Sequence, residues 1–409
     1  MNKFLKEFKD RGFFYQCTGE DGLSKLLDKE TINAYIGFDC TAECLHVGSL
    51  LQIMCLRLLQ KHGHRPIVLL GGGTTRIGDP SGKDKTRKIL SEDEIAKNIK
   101  NIEKILKNFL ENSDNKTKPI FVNNYSWLKG LNYISFLRDI GKHFTINKML
   151  SFDSVKTRLE REQSLSYMEF NYMILQAYDF LELNKKENCT LQIGGSDQWG
   201  NIINGVDLIK RHSNKQAYGL TTPLITLASG AKMGKTETGA VWLDKNFLSP
   251  YDYWQFWRNI DDRDVLKFIK IFTDINVEEI EKIKNDDVNK LKILLANHAT
   301  AMLHGETEAK NCEETAKQTF SKNALGSNLP SVSVDKKQLD KKLDIVDLII
   351  LSKFETSKSE IRRLIKANGV RINDQIINDE KFLITKNLFN DSLIKVSLGK
   401  KRHLKVILS

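Results

Sequence analysis

Residues 34–50 read AYIGFDCTAECLHVGSL, and the architecture of the chain can be built from this stretch. Its first six residues are mostly apolar or aromatic, which predicts a buried strand, and apolar residues recur at helical spacing after the loop. The loop ends in His46, and Gly48 with Ser49 opens the helix. Because the first N–H groups of a helix are free and its dipole favours negative charge, this unit predicts a phosphate site.

Through the rest of the first half, short apolar runs alternate with helical patterns. Strands are predicted at 66–73, 119–124 and 190–195, and an amphipathic helix at 92–110. This alternation is typical of a parallel sheet covered by helices, so the predicted fold class is α/β. The α/β domain is large enough for a catalytic domain and is expected to span residues 1–245.

The second half of the chain has a different pattern. Helical patterns fill 246–325, a stretch with Gly, Ser and Pro at 326–340 predicts a linker, and 341–409 mixes helices with strands, as in a small α+β module. Residues 336–409 hold 17 Lys and Arg against 9 Asp and Glu, or +8 of the chain's net charge of +11. A basic module of this kind suggests a polyanionic partner, RNA or DNA.

Composition argues against several classes of protein. No apolar run reaches the roughly 18 residues that a membrane helix needs, and the charged N-terminus lacks the apolar core of a signal peptide. The six cysteines contain no CxxC pair, so neither a zinc site nor a disulfide framework is expected. We therefore expect a cytoplasmic protein with no bound metal and no membrane association.

A second candidate phosphate segment, ASGAKMGKTETGAVWL, occupies residues 228–243. Lys232 and Lys235 flank a Met-Gly pair in a loop of small residues, where they could close over a polyphosphate. The segment is not a P-loop, because only three residues separate its two relevant glycines. GGGTTR at 71–76 does not fit the dinucleotide-binding motif either, since an arginine stands where the last glycine should be.

The order of these segments resembles the HIGH and KMSKS signatures of class I aminoacyl-tRNA synthetases, with HVGS (46–49) and KMGKT (232–236) in their places. The resemblance implies a Rossmann-like sheet, ATP at the first signature, pyrophosphate at the second, and attack of an amino-acid carboxylate on the α-phosphorus. Such chemistry needs positioning and charge stabilisation, with Mg²⁺ accompanying ATP and no tightly bound cofactor. The implied catalytic residues are Thr41, His46, Lys232, Lys235, Lys83 and Arg87.

Four stretches resemble the bacterial tyrosyl-tRNA synthetases in order and spacing: YIGFD (35–39), GDPSGK (78–83), NYMILQAYDF (171–180) and LQIGGSDQWGN (191–201). A phenol hydroxyl both donates and accepts, and Tyr35 with Asp179 could supply one partner of each kind. The ammonium group of tyrosine needs acceptors, and Asp79, Tyr172 and Gln176 suit it. Since Tyr172, Gln176 and Asp179 are spaced i, i+4, i+7, one helix face presents all three.

The same resemblance implies further contacts. Gln192 and Gln198 would meet the amino and carboxyl end of the tyrosine substrate. The implied ATP contacts are Gly37, Asp39, His46, Gly48, Ser49, Gly195, Asp197, Lys235 and Thr236. Lys83 and Arg87 would help to close over pyrophosphate, while contact with the acceptor stem of tRNA or simple solvation are alternatives for them.

This chain also departs from the family pattern. Cys40 stands where the family usually has proline, and Ser49 stands where His or Asn is frequent. KMGKT has Gly234 and Thr236 where the class signature has serines. Because Ser49 can still donate a hydrogen bond at a helix start, we expect altered ATP geometry or rate and no loss of activity.

Residues 357–373, SKSEIRRLIKANGVRIN, resemble the small S-four-type RNA-binding module. Ser359 is predicted to cap a helix that Gly369 ends in the left-handed conformation, and a hairpin follows. The basic residues that would contact RNA are Arg362, Arg363, Lys366 and Arg371. Together the resemblances imply a homodimeric enzyme that activates L-tyrosine with ATP and transfers it to tRNA(Tyr), with the helices of 246–325 beside the anticodon.

Two other interpretations stay open on the sequence. A tryptophanyl enzyme is nearest in fold, but an indole N–H needs only an acceptor, so the pair Tyr35 and Asp179 argues against it. The other interpretation is an RNA-binding or regulatory protein with an inactive catalytic domain, against which His46, Asp79 and the two signature lysines speak. Amino-acid-dependent ATP–pyrophosphate exchange would separate the three.

Overall fold

The structure is a computed structural model of the chain. It describes all residues outside 82–89, 111–113, 231–232, 237–238, 322–328, 336–337, 340–341, 353, 356, 391, 400–401 and 409. The chain forms two compact units. The first comprises residues 1–235, 240–247 and 260–298, and the second comprises 236–239, 248–259 and 299–409. The domain boundaries predicted from the sequence stay a prediction.

Helices account for much of the described chain. They are α1 Lys3–Asp10, α2 Glu20–Lys29, α3 Val47–Lys61, α4 Glu92–Leu110, α5 Tyr125–Leu128, α6 Tyr133–Asp139, α7 Ile146–Leu150, α8 Asp153–Glu160, α9 Tyr167–Glu187, α10 Trp199–Ser213, α11 Pro250–Arg258, α12 Val265–Phe272, α13 Val277–Ile283, α14 Val288–His304, α15 Glu306–Ser321, α16 Ile345–Leu351 and α17 Lys358–Lys366. Short 3₁₀ helices occupy Thr74–Arg76, Gly141–His143, Ser196–Gln198, Asp262–Asp264 and Lys386–Leu388. The helix predicted at 92–110 is α4, with the same bounds.

A six-stranded sheet forms the centre of the first unit. Its strands are β1 Gln16–Cys17, β2 Asn33–Phe38, β3 Arg65–Leu70, β4 Ile120–Asn123, β5 Cys189–Gly195 and β6 Tyr218–Thr222, in the order β1-β6-β5-β2-β3-β4. All neighbours run parallel except β1, which pairs antiparallel with β6. The predicted α/β class is confirmed, and the four predicted strands are β2 to β5. β1 and β6 carry little sequence signal, because β1 has two residues and β6 contains a glycine and two threonines.

The sheet order brings three loops to one edge. β2 lies between β5 and β3, and all three run parallel, so their carboxyl ends meet. Asp39 follows β2, Gly71 follows β3, and Gly195 ends β5. In open parallel sheets, ligands bind outside the carboxyl ends of the strands, and this edge is therefore the expected site.

The start of α9 is fixed by side-chain hydrogen bonds. Ser166 and Glu169 form a capping box, in which the Ser166 hydroxyl accepts from the Glu169 N–H and the Glu169 carboxylate accepts from the Ser166 N–H. Arg158 donates to Glu169 at 3.1 Å, and both side chains are buried. The helix ends at Asn188, whose φ of 47° is left-handed. These contacts set the register of the helix that carries the predicted substrate residues.

A five-stranded sheet with its own core forms part of the second unit. Its strands are β9 Ser331–Val334, β10 Val370–Ile372, β11 Gln375–Ile376, β12 Leu393–Leu398 and β13 Arg402–Leu408, in the order β11-β10-β12-β13-β9, while β7 Lys235–Thr236 and β8 Gly239–Ala240 form a separate pair. The predicted α+β module is confirmed. Residues 331–334 lie in the segment predicted as a linker, yet they pair in parallel with β13.

The caps of α17 differ from the sequence prediction. Ser357, and not Ser359, is the N-cap, because its hydroxyl accepts from the Glu360 N–H at 3.3 Å. At the other end Asn368, and not Gly369, is left-handed, with φ of 57°. The Gly369 N–H then donates to the Leu364 carbonyl at 2.8 Å, as in a Schellman motif. The hairpin predicted after this helix is formed by β10 and β11.

Candidate active site

A cavity of about 320 Å³ opens in the first unit where the parallel strands end. Predicted tyrosine and ATP residues share its lining: Tyr35, Gly37, Asp39, Gly48, Ser49, Asp79, Tyr172, Gln176, Asp179, Gln192, Gly195, Asp197 and Gln198. Gln52, Thr74 and Leu224 also line it and were not expected from the sequence pattern. Thr41 is half-buried in the loop between β2 and α3 and is not part of this lining.

One end of the cavity contains two deeply buried groups, Tyr35 and Asp179, each 1% exposed. Among the described residues the Tyr35 hydroxyl has no hydrogen-bond partner, and the same holds for the side-chain oxygen of Gln192. Buried polar groups are normally paired, so unpaired ones in a cavity wall indicate a missing ligand. Burial raises the pKa of the Tyr35 hydroxyl well above its usual value, so that hydroxyl stays protonated and can donate.

Two residues that the sequence did not point to hold the Asp179 carboxylate. Asn124 Nδ2 donates to it at 2.9 Å and Trp127 Nε1 donates at 2.7 Å. Burial raises the pKa of Asp179 to about 7, although these two hydrogen bonds lower it. Asn124 is the last residue of the strand predicted at 119–124, and that position at a carboxyl strand end is the signal that could have identified it.

Hydrogen-bonded carboxylates occupy the middle of the cavity. The Tyr172 hydroxyl donates to Asp39 at 2.9 Å, and Gln198 Nε2 donates to Asp79 at 2.8 Å. Asn201 Nδ2 donates to the side-chain oxygen of Gln176 at 3.0 Å. Asp39, which the resemblance implies at ATP, is therefore bonded to a residue implied at tyrosine, and both roles stay predictions. The result is a polar band that contains two hydrogen-bonded carboxyl groups.

The first signature segment contributes Gly48 and Ser49 to the lining of the cavity. His46 is the N-cap of α3, and its Nδ1 accepts from the Gly48 N–H at 2.9 Å. In the neutral ring the proton therefore lies on Nε2, which makes that nitrogen a donor. A Cβ on Gly48 would lie 2.6 Å from the His46 ring and 3.2 Å from the Met233 carbonyl, so only glycine fits there.

The second signature packs directly against the first. The Val47 N–H donates to the Val241 carbonyl at 2.8 Å, and His46 forms an antiparallel bridge with Trp242. Gly234 has φ of 95°, and a Cβ there would lie 2.8 Å from His46 Nδ1. The glycine that replaces a signature serine is therefore required by this packing.

Three of the predicted basic residues, Lys83, Arg87 and Lys232, lie outside the described residues. Lys235 and Thr236 belong to β7, and only their backbone is described. The roles of all five stay predictions.

The basic residues predicted to contact RNA lie in the second unit. Arg362, Arg363 and Lys366 are exposed on α17, while Arg371 is half-buried on β10. Arg362 pairs with Glu380 at 3.1 Å and Arg363 pairs with Glu360 at 2.7 Å. Exposed ion pairs of this kind are weak, so a phosphate can displace the carboxylate.

Neither a membrane-spanning helix nor a cluster of metal-binding side chains is found among the described residues. In that part of the chain, no helix is long and apolar enough to cross a bilayer. Within the same residues, no group of three or more His, Cys, Asp or Glu side chains is placed to hold a metal ion. The cysteines all carry free thiols.

Comparison with known families defines the class of protein. The profile described as "tRNA synthetases class I (W and Y)" matches residues 27–321, a span that contains the cavity and both signature segments. The chain belongs to this family and is an aminoacyl-tRNA synthetase, an enzyme of the ligase type. A second profile, "Tyrosine--tRNA ligase SYY-like C-terminal domain", matches residues 321–406.

Individual relatives indicate which kind of aminoacyl-tRNA synthetase this chain is. The tyrosine–tRNA ligase of Pelagibacter ubique is 82% identical over 99% of this chain and 99% of the relative, and that of Wolbachia sp. subsp. Brugia malayi is 53% identical over 100% and 99%. A solved structure of a C-terminally truncated Aspergillus nidulans mitochondrial tyrosyl-tRNA synthetase matches with a TM-score of 0.71 and 30% identity, over 78% of this chain and 94% of that one. The prediction of a tyrosine–tRNA ligase is confirmed by these relatives.

Proposed function

We propose that this chain converts L-tyrosine and ATP into tyrosyl-adenylate and then transfers the tyrosine to tRNA(Tyr), with the cavity as the site of both steps. In the first step the tyrosine carboxylate attacks the α-phosphorus and pyrophosphate leaves. In the second, a hydroxyl at the 3′ end of the tRNA attacks the tyrosyl carbonyl and AMP leaves. The observation that carries the proposal is a single cavity with a phenol-matching end and a helix N-terminus at the other end.

The phenol of the substrate is proposed to lie between Tyr35 and Asp179. The Tyr35 hydroxyl would donate to the phenol oxygen, and the Asp179 carboxylate would accept the phenol proton. Asn124 and Trp127 already direct two donors at this carboxylate, which fixes its orientation. Phenylalanine would leave the buried Tyr35 hydroxyl unpaired, so the site selects against it. Tyrosyl-tRNA synthetases are themselves the standard example of such selection, with discrimination of about 10⁵-fold and no editing step.

The ammonium group of tyrosine is proposed to bind in the polar band. The Tyr172 hydroxyl donates to Asp39, so its own lone pairs are directed elsewhere and can accept from the ammonium. Asp79 and Gln176 add acceptor oxygens held in place by Gln198 and Asn201. Gln192, whose side-chain oxygen has no hydrogen-bond partner among the described residues, completes this set.

Catalysis is proposed to consist of positioning and charge stabilisation. His46 Nε2–H would donate to a phosphate oxygen, and the Ser49 hydroxyl would donate to a second one, because the Val47, Gly48 and Ser49 N–H groups already donate within the protein. Gly195 and Asp197 would contact the ribose. The signature lysines, with Thr41, Thr236, Lys83 and Arg87, would stabilise the departing pyrophosphate. No covalent intermediate with the protein is required.

Mg²⁺ is proposed to enter with ATP. Mg²⁺ prefers oxygen ligands and keeps several waters, so nucleotide phosphates supply most of its shell. Bound Mg²⁺ would offset charge on the leaving pyrophosphate.

We place the enzyme in the cytoplasm, where ATP and tRNA occur together.

Binding of tRNA is proposed to use the second unit. The basic side chains of α17 stand opposite the buried Ile361 and Ile365, so they form a solvent-facing cationic surface. Structured RNA is recognised largely through its shape and phosphates. The helices of 246–325 are proposed to contact the anticodon.

The test for tRNA binding is the double variant Arg362→Ala with Arg363→Ala, with Lys358→Ala as the control, because Lys358 is an exposed lysine of the same helix that pairs with Asp347. We expect unchanged adenylate formation, a raised KM for tRNA and a weaker dependence on salt in the double variant only. Equal effects in both variants would contradict a specific surface.

A homodimer is proposed on the basis of an apolar surface in the first unit. A groove of about 460 Å³ is lined by Tyr125, Leu128, Phe136, Leu137, Tyr167, Met168 and Leu175 among others. Beside it, Tyr133 and Ile134 are 57% and 69% exposed. Contiguous exposed apolar surface of this kind marks an interaction site.

The dimer can be tested by sedimentation. Ile134→Lys should shift the protein toward monomer, while Tyr15→Lys, a change at an exposed aromatic residue outside the groove, should not. A wild-type chain that is monomeric at all concentrations would refute the proposal.

The decisive test of the reaction is amino-acid-dependent ATP–pyrophosphate exchange with each of the twenty amino acids. Exchange with tyrosine alone is the expected result. Exchange with a different amino acid would keep the class and overturn the assignment of the pocket. An absence of exchange in every case would favour the RNA-binding or regulatory interpretation.

A further inference from the structure

The loop that leads into the second signature is tied to a helix that does not line the cavity. The Ala228 N–H donates to Oδ2 of Asp264 at 2.7 Å. Lys267 Nζ donates to the carbonyl of Thr226 at 3.0 Å. All four residues belong to the first unit, and both bonds hold the segment just before KMGKT.

The Asp264 side chain does not cap the helix at whose start it lies. It stands at the N-cap of α12, where an aspartate normally accepts from the N–H groups of its own helix, but it makes no such bond. Its carboxylate is directed to Ala228 instead, and the residue is only 4% exposed. Burial of a carboxylate is unfavourable unless hydrogen bonds compensate, so the bond to the loop is a main reason for this residue to be tolerated here.

The helix that carries Asp264 is itself well anchored. α12 packs against α3, the helix that begins at the first signature. At its C-terminal end, the Arg11 guanidinium donates to the carbonyls of Lys270, Thr273 and Ile275 at 2.8, 2.9 and 2.8 Å. α12 therefore joins the first signature helix to the loop of the second signature.

We propose that Asp264 is a positioning residue for the second signature: it fixes the loop at Ala228 and thereby keeps Gly234 packed against His46, where the second signature meets the first. This inference rests on the proposed function. Asp264 does not line the cavity, so its effect on the reaction passes through the loop. Because a shift of about 1 Å in a catalytic group can lower a rate roughly 10²-fold, loss of this bond affects the rate and leaves the tyrosine end intact.

The test compares Asp264→Ala with Asp262→Ala in the full chain. Asp262 belongs to the same short 3₁₀ helix but is exposed and pairs with Lys292. For Asp264→Ala we expect kcat for tyrosine-dependent exchange to fall roughly 10- to 100-fold, with an unchanged Kd for tyrosine measured by equilibrium dialysis without ATP. Asp264→Asn keeps an acceptor oxygen and should recover most of the rate, while Asp262→Ala should match the wild type.

Hydrogen exchange supplies a readout that does not depend on activity. The amide of Ala228 should exchange faster in Asp264→Ala and keep its protection in Asp262→Ala. If Asp264→Ala does not fold, Lys267→Met removes the second tie and should lower kcat several-fold with tyrosine binding intact.

Three results would overturn the proposal. A wild-type exchange rate in Asp264→Ala would do so, as would a loss of tyrosine affinity that parallels the loss of rate, because that indicates a general structural role. Unchanged protection of the Ala228 amide would do so as well. If the wild-type chain itself shows no tyrosine-dependent exchange, the proposed function fails, and the amide measurement still decides whether Asp264 anchors the loop.

Discussion

The two ends of the cavity are built in different ways. At the amino-acid end, Tyr35 and Asp179 project from a strand and a long helix, and each is 1% exposed. At the end proposed for the nucleotide, the groups are glycines, a serine and a histidine at the start of α3. The first end is formed by buried side chains in regular elements, and the second is formed by loops in contact with one another.

This difference indicates that one end of the cavity selects the amino acid and the other holds the phosphates. Buried polar side chains with fixed partners discriminate between substrates, because a wrong substrate leaves one of them unpaired. A histidine N–H and a serine hydroxyl at a helix start would bind phosphate without reference to the amino acid. We therefore expect changes at the amino-acid end to alter affinity for tyrosine, and changes at the nucleotide end to alter the rate.

The largest effect is expected from Asp179→Asn. Asparagine keeps the shape but removes the charged acceptor, and we expect kcat/KM for tyrosine to fall by about 10³-fold, equivalent to about 4 kcal/mol. Pyrophosphate exchange measures this, with Asp207→Asn as a control because Asp207 is a half-exposed residue on α10 that pairs with Lys148.

Stability provides a check on that result. Since burial raises the pKa of Asp179 to about 7, the folded chain binds a proton more tightly there than the unfolded chain does. Ionised Asp179 therefore costs stability as the pH rises from about 4 through 7, and Asp179→Asn should keep or raise the Tm at pH 8. A variant that loses activity because it is misfolded would instead have a lower Tm.

A smaller effect is expected from Gly234→Ala at the nucleotide end. A Cβ there would lie 2.8 Å from His46 Nδ1 and 2.9 Å from the Gly48 N, on a residue with φ of 95°. We expect kcat for exchange to fall roughly 10- to 100-fold with tyrosine Kd unchanged. Gly230→Ala is the matched control, because Gly230 also has positive φ, 82°, but a Cβ there meets nothing within 4 Å. Equal losses in both variants would show that backbone strain alone is responsible.

A still smaller effect is expected from a change of pH on the affinity for tyrosine. The substrate phenol is a third donor to Asp179, after Asn124 and Trp127, so bound tyrosine favours the ionised carboxylate. Nearby Asp39 and Glu182 favour the protonated form in the free enzyme. Tyrosine affinity should therefore fall as the pH drops below about 7, by at most about tenfold per unit.

Equilibrium dialysis between pH 5.5 and 8.5 measures this dependence. Asp179→Asn should bind tyrosine weakly with a flat profile over the same range. A flat profile in the wild type would show that the carboxylate does not change protonation when tyrosine binds.

The sequence predicts the residues of the cavity better than it predicts their partners. Tyr35 and Asp179 are identified by the resemblance of residues 35–39 and 171–180 to the tyrosyl-tRNA synthetases, which is a local signal, and the helical spacing of 172, 176 and 179 supports it. Asn124 directly follows β4 and Trp127 belongs to α5, and they reach Asp179 because β4 lies next to β3 in the sheet. Sheet order depends on non-local pairing, which a single sequence does not encode in any short pattern.

The same reasoning explains the differences in the second unit. β9 reads as part of a linker because its neighbours are Gly, Ser and Pro, and its pairing with β13 joins residues far apart in the chain. At α17 the sequence predicts a capped helix but does not decide which residues cap it, because two serines stand two positions apart and Asn368 precedes Gly369. Both asparagine and glycine tolerate the left-handed conformation, so the fold chooses between them.

The smallest effect is expected where the chain departs from its family, in Cys40→Pro. The Cys40 N–H donates to the Thr75 hydroxyl at 2.8 Å, a bond that proline cannot make. Its loss costs about 1 kcal/mol, while proline lowers the entropy of the unfolded chain by a similar amount, so the net change in unfolding free energy should stay within about 1 kcal/mol.

A double-mutant cycle separates these opposing contributions. In a Thr75→Val background the acceptor for the Cys40 N–H is absent, so Cys40→Pro removes no hydrogen bond. The proline should then become stabilising, with a coupling energy of about 1 kcal/mol. Cys40→Ala, which keeps the N–H, should show no coupling to Thr75. If proline is equally tolerated in both backgrounds, the hydrogen bond to Thr75 is not what this cysteine contributes, and its place at the end of β2 needs another explanation.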